Sequence, residues 1–231
     1  MKALTKFVLA GAVFSASMLA TSAMADDEGG AFSANIGFAT EYYYRGILQK
    51  ESSANGGVDY ENGGFYMGTW AADVGDGLEV DGYFGYGFEF ENGFSAGLGF
   101  TGYYYTGEFD DTYEEINLNL AYELISLEHS VGSYENFGGP EQDYTFTALT
   151  LEKNGFYATY ATFSDDFDGD YIELGYGTEV SGVDLGVSVI FNSDELSDQC
   201  DSAGTNTDGS CIGNSEEGQA FIFSISKSFE L

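Results

Sequence analysis

Carboxylates standing at every second position are the residues of this chain best placed to do chemistry. Glu79, Asp81 and Glu89 share one face of a stretch whose other face carries Leu78, Val80, Phe84, Phe88 and other residues of the same parity. Glu115 and Glu123 alternate in the same way with Ile116, Leu118, Leu120 and Tyr122, and Glu173 and Glu179 with Ile172, Leu174 and Tyr176. Acids so arranged, with water on their side, attract cations. Arg45, the chain's one arginine, follows Glu41 at a spacing that puts both on one face. Two readings stay open for it: a structural ion pair with an inward carboxylate, or a place at a pore constriction.

Other constellations lead to less. His129 has Ser130 beside it, but neighbours along a strand point to opposite faces, so the two cannot form a nucleophile and base. No second serine is marked as a partner, and the chain is read as non-enzymatic, with no catalytic residue. Asp166, Asp168 and Asp170 with Gly169 resemble the opening of a calcium loop, yet Gly177 stands where a bidentate Glu belongs. An ordinary acidic loop is the expectation there, with a weak cation site as the alternative. Cys200 and Cys211 fall in one long polar segment. In an oxidising compartment a disulfide closing that loop is their simplest use, against a free pair or a metal site. No metal or cofactor is expected.

The elements that must position these acids are β-strands. From about Phe32 onward, large apolar or aromatic residues alternate with small, polar or acidic ones, the period of a strand with oil on one side and water on the other. The alternation divides into about twelve strands, with ten to fourteen admissible because the seventh to ninth alternate poorly. In the first, residues 32–44, Phe32, Ala34, Ile36, Phe38, Tyr42 and Tyr44 fall on one face and Ser33, Asn35, Gly37, Glu41 and Arg45 on the other. The second spans about residues 53–60. Connections after the second, fourth, sixth, eighth and tenth strands are tight, with Asn-Gly signals at Asn62-Gly63, Asn92-Gly93 and Asn154-Gly155. Those after the fifth, seventh, ninth and eleventh are longer and acidic. Short turns at one end and long loops at the other belong to an outer-membrane antiparallel up-and-down barrel with an even strand count and both termini periplasmic.

Composition and chain ends agree. Lys2 and Lys6 precede an apolar run over residues 7–20, and Ala23-Met24-Ala25 offers a cleavage site. Residues 1–25 are therefore expected to be a cleaved export signal and residues 26–231 one barrel domain. A net charge of −33 excludes nucleic-acid partners. The 17% aromatic content is too high for a disordered acidic protein. The terminal strand, with Phe221, Phe223, Ile225, Phe229 and Leu231 on one face, has the form that barrel-assembly machinery recognises.

Three segments carry a family resemblance: Gly37-Phe38-Ala39-Thr40-Glu41-Tyr42-Tyr43-Tyr44-Arg45-Gly46-Ile47, then Gly56-Gly57-Val58-Asp59-Tyr60, then Gly64-Phe65-Tyr66-Met67-Gly68-Thr69-Trp70-Ala71. Together they resemble the TorF family, proteobacterial proteins regarded as porins and formerly catalogued as conserved hypothetical proteins. The likeness weakens through Glu79-Val80-Asp81-Gly82-Tyr83. It implies an outer-membrane β-barrel and a pore, and brings no substrate. The expectation is a passive channel for small hydrophilic solutes, preferring cations and surrounded by outer-membrane lipid and lipopolysaccharide. A closed barrel serving as a surface interaction or adhesion scaffold through its acidic loops is the alternative, and a secreted soluble β-protein a third.

Overall fold

The computed structural model describes residues 30–200 and 215–231. Residues 1–25, expected to be the export signal, lie outside them. Twelve strands follow one another: β1 (Ala31–Tyr44), β2 (Ile47–Asn62), β3 (Phe65–Gly75), β4 (Gly77–Glu89), β5 (Phe94–Tyr105) and β6 (Tyr113–Tyr122). The second half comprises β7 (Ile125–Tyr134), β8 (Gln142–Lys153), β9 (Phe156–Asp165), β10 (Asp170–Glu179), β11 (Asp184–Asn192) and β12 (Gly218–Glu230). Each pairs antiparallel with the next, and β1 pairs with β12, so the sheet closes into a barrel. Closure leaves no unpaired edge. The described residues contain no helix.

Turn chemistry sets the register. Gly63 and Gly64 both have positive φ, as do Asn154 and Gly155, the geometry of two-residue hairpins that match strand twist. Residues 90–93, 123–124 and 180–183 make the other compact turns at the same end as these. At the opposite end lie residues 106–112, 135–141, 166–169, 193–200 and 215–217. Ser33 pairs with Glu230, so the first and last strands begin and finish at the short-turn end.

Alternation then divides inside from outside. Phe32, Ile36, Phe84, Leu98, Ile116 and Phe221 are among the large apolar residues that stand exposed on the outer face. The inner face holds the fully buried residues, including Trp70, Tyr103, Phe146, Ile190, Glu79, Asp81, Glu115 and Glu173. The poorly alternating strands resolve clearly: Tyr144, Phe146 and Ala148 of β8 and Ala161 and Phe163 of β9 are buried inside, and Leu149, Leu151, Phe156 and Tyr160 are exposed outside. Their inner residues are as apolar as their outer ones, and sequence patterning cannot tell such faces apart.

Small residues on the inner wall make room for rings. A Cβ on Gly99 would collide with the Tyr66 hydroxyl, and one on Gly175 with the Tyr157 ring. The tyrosines lie across the wall where these glycines leave space.

Candidate functional site

The lumen owes its shape to the hairpin that joins β1 and β2. Only Arg45 and Gly46 separate these strands, at φ 48° and 88°, so the left-handed pair makes a tight turn. β2 begins at Ile47, ahead of the start near residue 53 that alternation suggests. The outward placement of Tyr42 and Tyr44 with Phe38 is likewise corrected: Tyr42 and Tyr43, consecutive in the chain, are both buried. Consecutive residues of a flat ladder face opposite ways. The ladder shifts register between them, and Ser52 takes a positive φ. With the alternation broken, the hairpin tip leans off the wall and over the lumen.

Its contacts show how far it reaches. The Arg45 guanidinium donates from Nη1 to Glu115 Oε2 at 2.7 Å and from Nη2 to Glu115 Oε1 at 2.9 Å. Nη2 also donates to Glu128 Oε1 at 2.7 Å and to Ser130 Oγ at 3.1 Å. The guanidinium carbon lies 4.1 Å from the centre of the Phe146 ring, a stacking arrangement favourable to a planar cation. Glu115, Glu128 and Phe146 belong to β6, β7 and β8, across the barrel from β1 and β2 in the strand order. On the other side of the tip, Asn192 Nδ2 of β11 donates to the Gly46 carbonyl at 2.9 Å. Gly46 also lies so close to Tyr171 and Leu196 that any side chain there would strike them. The tip thus crosses the lumen at the long-loop end, tied to both walls.

Tyrosine hydroxyls, instead of cations, hold most of the other buried acids. Glu79 accepts from Tyr42 at 2.5 Å and from Tyr105 at 3.0 Å. Asp59 accepts from Tyr83 at 2.5 Å, and Glu173 from Tyr157. Glu115 accepts from Tyr103 at 2.7 Å, Tyr144 at 3.0 Å and Asn117 at 2.8 Å besides its arginine. A hydroxyl satisfies a carboxylate's lone pairs without cancelling its charge. Among the described residues the cationic side chains are Arg45, Lys50, Lys153 and Lys227. Arg45 is spoken for, Lys50 pairs with Asp73, and Lys153 and Lys227 have the outward parity of β8 and β12. Acidic side chains therefore outnumber cationic ones on the inner face.

The acids proposed from sequence separate into two groups. Glu79, Asp81, Glu115 and Glu173 are buried inside, with Glu115 on the tip itself through Arg45. Glu89 and Glu179 end β4 and β10 and are exposed at the short-turn rim, on the lumen-facing parity. Glu123 is corrected: with φ 53° it lies in the turn between β6 and β7, not on the wall. Glu41 is partly buried and stands opposite Glu51 in register; the described partners of Arg45 are Glu115 and Glu128. Glu128, Ser130 and Asn192 were missed. Glu128 and Ser130 share a parity in β7 that could have been read inward, whereas nothing in the sequence marks Asn192.

His129 and Ser130 do face opposite ways, for His129 Nδ1 meets Thr147 Oγ1 at 2.9 Å and Ser130 bonds Arg45 inside. Asp166 and Asp168 accept from the Asp143 and Gly169 amides, and Asp170 from the Tyr160 hydroxyl. They serve separate partners, and no group of three or more potential metal-holding acids, histidines or cysteines occurs among the described residues. Cys200 is not a free thiol; its expected partner Cys211 lies outside the described residues, and so does the pairing.

A family model described as a bacterial protein of unknown function (Gcw_chp) matches residues 23–191. Comparison with curated proteins finds no match. Among solved structures, a chain from work on the in-meso crystallization of membrane proteins has a TM-score of 0.48 at 8% identity, over 87% of this chain and 84% of its own. Acinetobacter baumannii OccAB2 has a TM-score of 0.41 at 10% identity, over 85% of this chain and 60% of its own. Pseudomonas aeruginosa OprD has a TM-score of 0.41 at 13% identity, over 90% of this chain and 68% of its own.

Proposed function

This chain belongs to the Gcw_chp family of bacterial proteins of unknown function, and from the barrel it forms we propose a porin-like outer-membrane channel for small hydrophilic solutes, preferring cations. The observation that carries this reading is the contrast between the two faces of one closed sheet. Outside, exposed Phe, Leu, Ile and Tyr suit hydrocarbon. Inside, Asp59, Glu79, Asp81, Glu115, Glu128 and Glu173 outnumber the single guanidinium. An exported soluble protein would have no reason to present that outer face to water. The TorF-like residues of β1 to β3 agree with this reading, as do the unequal loops; in this reading both termini are periplasmic and the acidic loops lie outside.

The tip bearing Arg45 is the constriction. With Arg45, Glu115, Ser130, Tyr144 and Phe146 all nearly inaccessible, passage at that level requires the tip to move. Its polar ties are one guanidinium on one wall and one carbonyl on the other, and beside them Tyr43 and Leu48 pack among Phe146, Tyr171 and Leu196. Solute would pass when they open, with the surplus carboxylates favouring cations and repelling anions.

That same packing favours a second reading, a barrel permanently closed and used as a surface scaffold through its acidic loops. Planar-bilayer recording on the purified, folded protein separates the two. Discrete openings with a reversal potential on the cation side of zero in a salt gradient are expected. Anion selectivity, or no current from the wild type and from a variant with the tip released, would sink the channel.

A further inference from the structure

Among the buried acids Asp81 is singular. Its side chain is 2% exposed and its Oδ1 has no hydrogen-bond partner. The groups around it are already engaged. Glu79, two residues away on the same inward face of β4, takes the Tyr42 and Tyr105 hydroxyls. Tyr103, directly across the β4–β5 ladder from Asp81, gives its hydroxyl to Glu115. Arg45 is held by Glu115, Glu128 and Ser130. A buried carboxylate oxygen without a donor is costly to maintain, and although Arg45 Nε and the Tyr44 hydroxyl are also without partners, neither donates to it.

We propose that Asp81, with Glu79 beside it, forms a binding site in the lumen for a small monovalent cation, an alkali-metal ion or the ammonium head of a solute. The unpartnered oxygen supplies a full ligand, and the Glu79 carboxylate adds charge while its hydroxyl donors fix its position. Trp70 and Tyr103 stand on the two ladder positions flanking Asp81. Aromatic neighbours suit a weakly hydrated cation. A divalent ion is a poor match. Calcium takes six to eight oxygens, and no three acids, histidines or cysteines gather as a metal-holding group among the described residues. Through the bond from Tyr42 to Glu79 the site adjoins the strand that leads into the hairpin tip.

The site deepens the reading of the lumen as a cation path, yet its test needs no current. Thermal unfolding of the folded barrel in detergent is followed in sodium, potassium, methylammonium and N-methyl-D-glucamine chlorides at one ionic strength. A ligand bound only by the folded state raises Tm with its concentration and then with its logarithm. The expected result is a rise of a few degrees with the small cations relative to the bulky one, lost in Asp81→Asn and retained in the loop variant Glu141→Gln. Response to sodium and potassium alone assigns an inorganic ion, and response to methylammonium assigns a solute head group; either supports the site. Equal Tm in all four salts, or a cation effect undiminished in Asp81→Asn, would overturn it. Should Asp81→Asn fail to fold, 23Na relaxation on the wild type decides: saturable broadening displaced by potassium or methylammonium supports the site, and none overturns it. A barrel that binds the cation but never conducts would keep this site and lose the channel.

Discussion

Removing Arg45 tests whether the tip is tied as described. In Arg45→Ala the hairpin loses both bonds to Glu115, at 2.7 and 2.9 Å, and those to Glu128 and Ser130. Breaking a buried ion pair from one side costs about 3–5 kcal/mol, much of it from the stranded partner. Loss of the guanidinium over Phe146 at 4.1 Å adds about 1–2 kcal/mol. Glu115, however, is not stranded, since Tyr103, Tyr144 and Asn117 still donate to it, which offsets about the cation–π term. The net expectation is about 3–5 kcal/mol. Glu115→Gln leaves Arg45 its Glu128 partner and should cost about half as much, with a coupling of at least about 1.5 kcal/mol in the double-mutant cycle. Urea unfolding in lipid vesicles provides the assay. The chain's single tryptophan, Trp70, is buried in the lumen with its ring 5.7 Å from that of Tyr42, so its fluorescence reports on this region. A cost below about 1 kcal/mol for Arg45→Ala, or additivity within about 0.5 kcal/mol, would refute the tie.

Asn192→Ala removes the amide that holds the Gly46 carbonyl and should cost about 1–3 kcal/mol, because the carbonyl is left buried without that donor; the same unfolding assay reads it. Leu98, exposed on the outer face of β5, should in the variant Leu98→Arg destabilise the vesicle-inserted barrel by about 2–4 kcal/mol if that face meets hydrocarbon; a change below about 0.5 kcal/mol would place it in water. Replacing Glu79, Asp81 and Glu89 together by Gln should move the zero-current potential in a potassium chloride gradient toward zero. An unchanged potential would mean that these side chains do not set selectivity.

Much of the barrel is legible in the chain because a strand with oil on one side and water on the other must alternate. β4, β5, β6, β10 and β11 do so strictly, and Glu79, Asp81, Glu115 and Glu173 are inside as that parity requires. Loop length repeats the message, since short turns need Asn or Gly at positive φ and such residues recur between every even strand and its successor, Glu123 and Leu124 excepted. What parity cannot reveal is where it breaks. The register shift after Tyr42 carries no turn residue to announce it, and it buries two successive tyrosines and sends Arg45 across the barrel. Partners of Arg45 lie 70 to 85 residues away; they are set by ring closure and the lean of the tip, and no local pattern encodes either. Glu123 was misplaced because an acid two positions past Ala121 keeps the inward parity, although the strand ends one residue earlier.

The claim that the β1–β2 tip governs passage is tested most directly by shortening it. With residues 44–47 replaced by a two-glycine turn, single-channel recording in planar bilayers should show a barrel open most of the time, cation-selective, and of larger mean conductance than the wild type. A shortened barrel that folds and inserts yet conducts no more than the wild type would contradict the account.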